Sequence, residues 1–224
     1  MNNNLYGEEE DLVLNTSARI PVCLCIDTSG SMVTCVNDLN KGVADFYKSI
    51  RSSDAALASC EVAIVSFGST INVLEEFSTI DKKKDIKFVP NGKTDMTGGV
   101  NKTLQLLNRR KEQYKQNGVE YFQPWLVLFT DGTPDDTNSI IAVQETVRKL
   151  EAEKKLTVFC VGIGGLVDMD ILGNFSKKGA LKLKDNNFSE FFEWLGKSVS
   201  IISNSIVGQE PELDTSNCED WAEL

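Results

Sequence analysis

Four short, nearly unbroken apolar runs constrain this chain more than any other feature: PVCLCI at 21–26, VAIVSF at 62–67, WLVLF at 125–129 and LTVFCVGI at 156–163. Each has the length of a strand, is rich in β-branched residues, and lacks the polar alternation of a strand wetted on one side. Such runs suit strands covered on both faces, as in a parallel sheet. Segments of helical period lie between them. Val36, Leu39, Val43, Phe46 and Ile50 recur at three- and four-residue steps, as do Val100, Leu104, Leu107 and Tyr114, and again Ile140, Val143, Val147 and Leu150. TINVLEEF, just after Gly68, reads as a short strand turned back on its predecessor to form an antiparallel edge. A small helix over 168–175, a strand over 180–183 and a last helix over about 188–206 follow, the last with Phe188, Phe191, Phe192, Leu195, Val199 and Ile202 as its buried stripe. This order predicts an α/β, doubly wound, mostly parallel six-stranded sheet with helices on both faces and one antiparallel edge strand.

The 224 residues suffice for one domain. We divide them into a leader at 1–17, a domain at 18–206 and a tail at 207–224. The tail carries six acids, no bases and Pro211, and reads as mobile. With 33 acids against 23 bases the net charge is -10, a sign that repels phosphate backbones and makes nucleic acid and anionic membrane poor partners. There is no histidine, which excludes imidazole base catalysis, a Ser-His-Asp triad and a His-ligated zinc site. The six cysteines form no C-x-x-C pair and lie mostly in or beside apolar runs, where a reduced thiol packs as a small hydrophobe. The amino-terminal stretch has no basic and then apolar signal pattern, and no run reaches membrane length. A cytoplasmic protein is the expectation.

In a doubly wound fold the carboxyl ends of the parallel strands share one edge, and ligands bind there, where the strand order reverses. Asp27 follows the first apolar run directly, in CLCIDTSGSM, and Asp131 follows the third in FTDGTPDD. These two carboxylates could converge with the hydroxyls of Ser29 and Ser31. An all-oxygen set of two acids and a few hydroxyls suits a hard cation that keeps part of its water shell. That describes Mg²⁺, with Mn²⁺ or Ca²⁺ as substitutes. The loop GKTDMTGG adds a third hydroxyl at Thr94, with Thr97 as a second candidate.

D-x-S-x-S at Asp27, Ser29 and Ser31, G-x-T at Gly92 to Thr94, and T-D-G at Thr130 to Gly132 occur in this order on alternating strands and helices. The set resembles the von Willebrand factor A domain and its metal-ion-dependent adhesion site, over about residues 18–206. Within that family RIPVCLCIDTSGSM, FTDGTPDD and FSEFFEWLGKSVSIISNSI look most like the bacterial TerY-type proteins of tellurium-resistance clusters. The resemblance implies that Ser29, Ser31 and Thr94 give hydroxyls to the metal while Asp27 and Asp131 bind it directly or through water. It also implies that the sixth position is filled by an Asp or Glu of a partner protein.

Plainer readings compete. Asp27, Ser29 and Ser31 could cap a helix and shape a turn, and Asp135, Asp136 and Thr137 could cap the next one. VGIGG at 161–165 lacks the third glycine of a dinucleotide fingerprint, since Val167 stands there, and reads as a turn. The expected function is a non-catalytic, metal-dependent protein-interaction module that serves a stress-response or phospho-signalling assembly, with an operon-encoded phosphatase or kinase among its partners. The alternative is a Mg²⁺-dependent phosphohydrolase using the same carboxylates. Against it, Lys93 is the one base in these loops and no P-loop lysine is present.

Overall fold

A computed structural model describes residues 12, 15–82, 86–209, 213 and 218–223. The four apolar runs become β1 (Ile20–Asp27), β2 (Cys60–Phe67), β4 (Trp125–Thr130) and β5 (Thr157–Gly162), three of them buried along their whole length. β3 (Ile71–Thr79) folds back on β2 antiparallel, with a register irregularity around Ile64, and β6 (Leu181–Leu183) runs parallel beside β5. The sheet order is β3-β2-β1-β4-β5-β6-β7, where β7 is Ala222–Glu223. Among the described residues, no helix is long and apolar enough to cross a membrane.

The helices follow the predicted periodicities. On one face lie α1 (Val36–Arg51) and α6 (Phe188–Ser203), packed on Val22, Leu24, Ile26, Val127 and Phe129. On the other, α3 (Met96–Gln116) and α4 (Thr137–Ala152) cover Cys23, Cys25, Leu126, Leu128 and Cys160. The period of two along β1 thus sends alternate residues into two separate cores. All six cysteines are buried as thiols outside any disulfide, consistent with packing rather than ligation. A short α2 (Asp54–Ser59), capped by Ser53, enters β2, and α5 (Met169–Gly173), capped by Asp168, follows β5.

At the opposite edge of the sheet from the strand-end loops, Glu61 is fully buried. It accepts two hydrogen bonds from the Arg110 guanidinium at 2.7 and 2.9 Å and one from the Tyr114 hydroxyl at 2.5 Å. Arg19 lies 3.6 Å away and donates to the Ala58 carbonyl. Paired charge with its hydrogen-bonding capacity used is the condition under which such a group tolerates burial.

The end of the tail differs from expectation. Cys218–Trp221 form a helical turn, α7, and Ala222–Glu223 pair antiparallel with β6, making a seventh strand and a second antiparallel edge. Trp221 is 4 % exposed and its ring meets Phe191 edge-on at 5.7 Å, with Trp194 at 6.0 Å. Three apolar side chains, Cys218, Trp221 and Ala222, outweigh the local acids because an aromatic ridge on α6 is there to receive them. The sheet therefore has seven strands rather than the six expected, and residues 222–223 of the tail pair with it. Glu210 and Asp214, the tail acids that the sequence offers as occupants for the metal of a neighbouring copy, lie outside the described residues.

Candidate metal centre

β1 pairs with β2 on one side and β4 on the other, so the strand order reverses at β1 and leaves a crevice between the ends of β1 and β4. The register Ile26↔Phe129 brings Asp27 and Thr130 to that crevice side by side. Thr130 Oγ1 donates to Asp27 Oδ2 at 2.6 Å, and the Ser29 amide donates to Asp27 Oδ1 at 2.7 Å. Ser29 Oγ and Ser31 Oγ are 3.0 Å apart, and Ser31 Oγ donates to Asp131 Oδ1 at 2.8 Å. Four of the five predicted residues, Asp27, Ser29, Ser31 and Asp131, are thus linked across two strand ends, Asp27 through the Ser29 amide and the other three through their side-chain oxygens.

The third loop is tied to the first. The Gly30 amide donates to the Gly92 carbonyl at 3.1 Å, and the Asn91 amide to the Thr28 carbonyl at 2.7 Å. Gly92 has φ +81, and a Cβ there would meet Ser69 Oγ at 2.0 Å, so this turn requires glycine. Thr94 is half-buried beside the crevice. Its amide donates to Asp135 Oδ2 at 2.9 Å, and its carbonyl accepts from the Asp135 amide at 3.2 Å, which fastens the 91–95 loop to the loop after β4. Thr97 instead shares a hydrogen bond with Ser139 Oγ at 3.0 Å, at the joint between α3 and α4. Its hydroxyl is committed away from the carboxylates, and the Thr94 hydroxyl makes no hydrogen bond to Asp27, Ser29, Ser31 or Asp131, so the fifth predicted residue is not joined to the other four.

The capping alternative is realised elsewhere. Ser29 makes no side-chain cap on the 3-10 turn Gly30–Thr34, and Cys35, at the N-cap of α1, makes none either. Asp136 caps α4, accepting from the Asn138 and Ser139 amides, and Asp95 caps α3. The acids that can serve as caps do so, while Asp27 and Asp131 do not.

Electrostatics single out the same pair. Asp27 is fully buried, and burial pushes its carboxyl up to about 6, against the hydrogen bonds from Thr130 and Ser29 that favour the charged form. The neighbouring Asp131 charge pushes in the same direction as burial. Asp131 is 9 % exposed and its carboxyl is likewise raised by desolvation, opposed by Ser31. Among the described residues, no lysine or arginine forms an ion pair with either. Two buried carboxylates, each accepting from a hydroxyl and neither paired with a base among the described residues, make a donor set that a divalent cation fits: oxygen only, low in charge, and open at Ser31, which is exposed. Among the described residues, no group of three or more Asp, Glu, His or Cys side chains is placed to hold a metal, so a site here leans on hydroxyls.

Thr130 is the residue that sequence reasoning left without a role, although it stands within the T-D-G motif. It is fully buried and holds Asp27 by its shortest hydrogen bond. Asp135, read as a cap, instead splints the Thr94 loop.

No curated protein matches the sequence. Among solved structures, a von Willebrand factor type A protein from Catenulispora acidiphila superposes with TM-score 0.64 at 14 % identity, covering 82 % of this chain and 43 % of that one. Manganese-loaded TRAP protein from Plasmodium vivax gives 0.57 at 19 % identity, over 77 % of this chain and 71 % of that one. Proximal thread matrix protein 1 from the mussel byssus, with a zinc-occupied MIDAS motif, gives 0.54 at 16 % identity, over 85 % and 47 %. The chain thus spans less than half of two of these proteins, and the likeness at such identities is one of fold. A family model of the von Willebrand factor type A domain matches residues 22–194. A match over that much of the sequence makes this chain a member of the von Willebrand factor type A domain family.

Proposed function

We propose that the chain is a non-catalytic interaction module whose binding depends on a divalent cation held by Asp27, Ser29, Ser31, Thr94 and Asp131. The observation that carries this reading is the linked set Asp27, Ser29, Ser31 and Asp131, joined through the Ser29 amide and the two serine hydroxyls, with two buried carboxylates that pair with no basic residue among the described residues. Mg²⁺ is the ion best matched to two acids and several hydroxyls, since it tolerates a partly aqueous shell. Mn²⁺ and Ca²⁺ are substitutes. The manganese and zinc named for two of the similar structures support a divalent ion at this place in the fold. Two protein carboxylates roughly neutralise the cation, so a partner's Asp or Glu completes its shell with one excess negative charge, less than a more acidic cage would leave.

The resemblance to TerY-type proteins extends the proposal to a cytoplasmic, stress-response or phospho-signalling assembly, with a phosphatase or kinase as partner. No lysine or arginine among the described residues pairs with the two carboxylates to steady a transferring phosphoryl group, which weighs against phosphohydrolase chemistry. Thermal melts with and without Mg²⁺ test the core of the reading. A cation present at about a hundredfold its dissociation constant stabilises by about 2.7 kcal/mol. For a domain of this size that corresponds to a rise on the order of 5–10 °C. The rise is expected in the wild type and absent in Asp27→Ala. Calorimetry that detects no Mg²⁺ or Mn²⁺ binding to the wild type would refute the site, and turnover of p-nitrophenyl phosphate lost in Asp27→Asn would replace an interaction module with an enzyme. Pull-downs from native lysate with Mg²⁺ and with chelator would identify metal-dependent partners.

A further inference from the structure

We infer that Asn91 is a site of spontaneous modification: the Gly92 amide nitrogen closes onto the Asn91 side chain, and water opens the ring to aspartate or isoaspartate. Asn117, the other Asn-Gly step of the chain, is held back by its hydrogen bonds. Nothing in this inference requires a bound cation.

Asn91 and Asn117 are both exposed, and each is followed by a glycine at positive φ. Without a Cβ, the glycine leaves the attacking nitrogen unhindered. The outcome then depends on whether the peptide between the two residues can turn and the side chain can swing onto it. Around Asn91 the flanking groups are fixed. The Asn91 amide donates to the Thr28 carbonyl at 2.7 Å, the Lys93 amide to Ser69 Oγ at 2.9 Å and the Thr94 amide to Asp135 Oδ2 at 2.9 Å, while the Gly92 carbonyl accepts from the Gly30 amide at 3.1 Å. The Asn91–Gly92 peptide itself is different. Among the described residues, neither its carbonyl, nor its N–H, nor the Asn91 side-chain amide has a hydrogen-bond partner. At Asn117 the equivalent donors are used: the side-chain amide donates to the Gln113 carbonyl at 2.9 Å, and the Gly118 amide to the Lys115 carbonyl at 3.3 Å. Each such bond contributes about 0.5–1.5 kcal/mol, so breaking two adds about 1–3 kcal/mol to the barrier, roughly 5- to 150-fold in rate.

Attack by the deprotonated Gly92 nitrogen on Asn91 Cγ forms a C–N bond and expels the side-chain nitrogen as ammonia, leaving a five-membered imide. The attack is intramolecular, and solvent at this exposed loop supplies the water for the second step. Water adding at Cγ restores the main chain and leaves aspartate. Water adding at the main-chain carbonyl routes the chain through the side chain and leaves isoaspartate, with one extra main-chain carbon. Either product puts a carboxylate where an amide stood. Isoaspartate also lengthens the backbone between the Asn91 amide, tied to Thr28, and the Gly92 carbonyl, tied to Gly30. Those two bonds then no longer share one register, and Gly30 is the residue between Ser29 and Ser31.

The test ages the full chain in mildly alkaline buffer, folded and in urea, and maps both sites by peptide mass spectrometry with fragmentation that separates aspartate from isoaspartate. In the folded chain Asn91 should convert at least about tenfold faster than Asn117, a barrier difference of about 1.4 kcal/mol. In urea the two should convert at similar rates. The aged chain carrying isoaspartate should lose hydrogen-exchange protection at the Gly30 amide, whereas Asn91→Asp, which has the charge but no extra main-chain carbon, should keep it. Equal rates in the folded chain, a faster Asn117, or no conversion at Asn91 while the chain in urea converts would overturn the site. A ratio in urea as large as in the folded chain would overturn it too, by tracing the difference to sequence rather than structure. Unchanged Gly30 exchange in the isoaspartate form would overturn the effect on the loop.

Discussion

Asp27 shows how one residue can be costly for the fold and useful to the site. Its carboxyl is raised from the ordinary aspartate range to about 6, first by burial and then by the Asp131 charge. A raised folded-state value means that the proton stabilises the folded form. That contribution is complete below the unfolded value near 3.8 and is lost as pH climbs through about 6. A divalent cation must displace the same proton. Raising the pH from 5 to 7.5 should therefore lower the contribution of this group to the stability of the metal-free protein while enlarging the melting shift produced by Mg²⁺. Asp27→Asn should show neither effect. Melts at the two pH values, with Mg²⁺ and with chelator, check this, and a Mg²⁺ shift equally large at pH 5 would contradict it. Thr130 gives a second residue-level expectation. Its hydroxyl favours the charged form of Asp27 from 2.6 Å, so Thr130→Val should push the Asp27 carboxyl higher still and weaken Mg²⁺ binding several-fold by calorimetry at pH 7. Thr130 was hard to read from sequence because a threonine at the end of a buried strand is first a good strand former. Its bond to Asp27 depends on the register of β1 against β4, which no local pattern encodes. The engagement of Thr97 had the same character, since its partner Ser139 lies 42 residues away.

Among the elements, periodicity carried the strands and long helices because each buries a whole face. β1 and β2 are buried from end to end, and the stripe Leu39, Val43, Phe46 and Ile50 faces the core. Short elements were less legible: α2 has six residues, too few for a period to show, and rests on the Ser53 cap and on Ala56. The glycines that set helix separation were also silent in the sequence. A Cβ on Gly42 of α1 would lie 2.7 Å from Phe192 Cδ2 and 2.8 Å from Phe188 Cβ, both on α6. On the other side of the joint, a Cβ on Gly196 would lie 2.4 Å from Ser49 Oγ. The two helices approach each other through these gaps, and Phe192 stacks on Phe129 of β4 at 5.2 Å. Gly42→Ala gains helix propensity of up to about 1 kcal/mol, but forces apart a packed joint, for which overpacking costs about 1–3 kcal/mol. The clash includes a Cβ that cannot rotate away, so the loss should win. Urea denaturation should show a net destabilisation of about 1–2 kcal/mol, and an unchanged or higher midpoint would mean that α1 and α6 are packed more loosely than described here.

At the scale of the whole molecule, the crevice at the strand reversal was legible because topology follows from the order of elements, and the order was visible. The carboxyl-terminal end was not. Averaged over 207–224, six acids hide one tryptophan, and only the assembled sheet supplies what that tryptophan packs on. β6 would otherwise expose its outer edge, an arrangement that proteins commonly cover. Here Ala222 and Glu223 pair with Leu183 and Lys182, and the Lys184 ammonium donates to the Glu219 carbonyl. Trp221 closes the ridge formed by Phe191 and Trp194. If this closure belongs to the folded domain, Trp221→Ala removes a buried indole and should cost about 3 kcal/mol or more. At about 2–4 °C per kcal/mol for this size, the melting temperature should fall by at least 6 °C. Glu219→Ala is the control, because its exposed side chain carries no interaction in the closure and only its backbone carbonyl is used. That variant should melt with the wild type. A Trp221→Ala protein that also melted with the wild type would mean that the last residues contribute nothing to the domain.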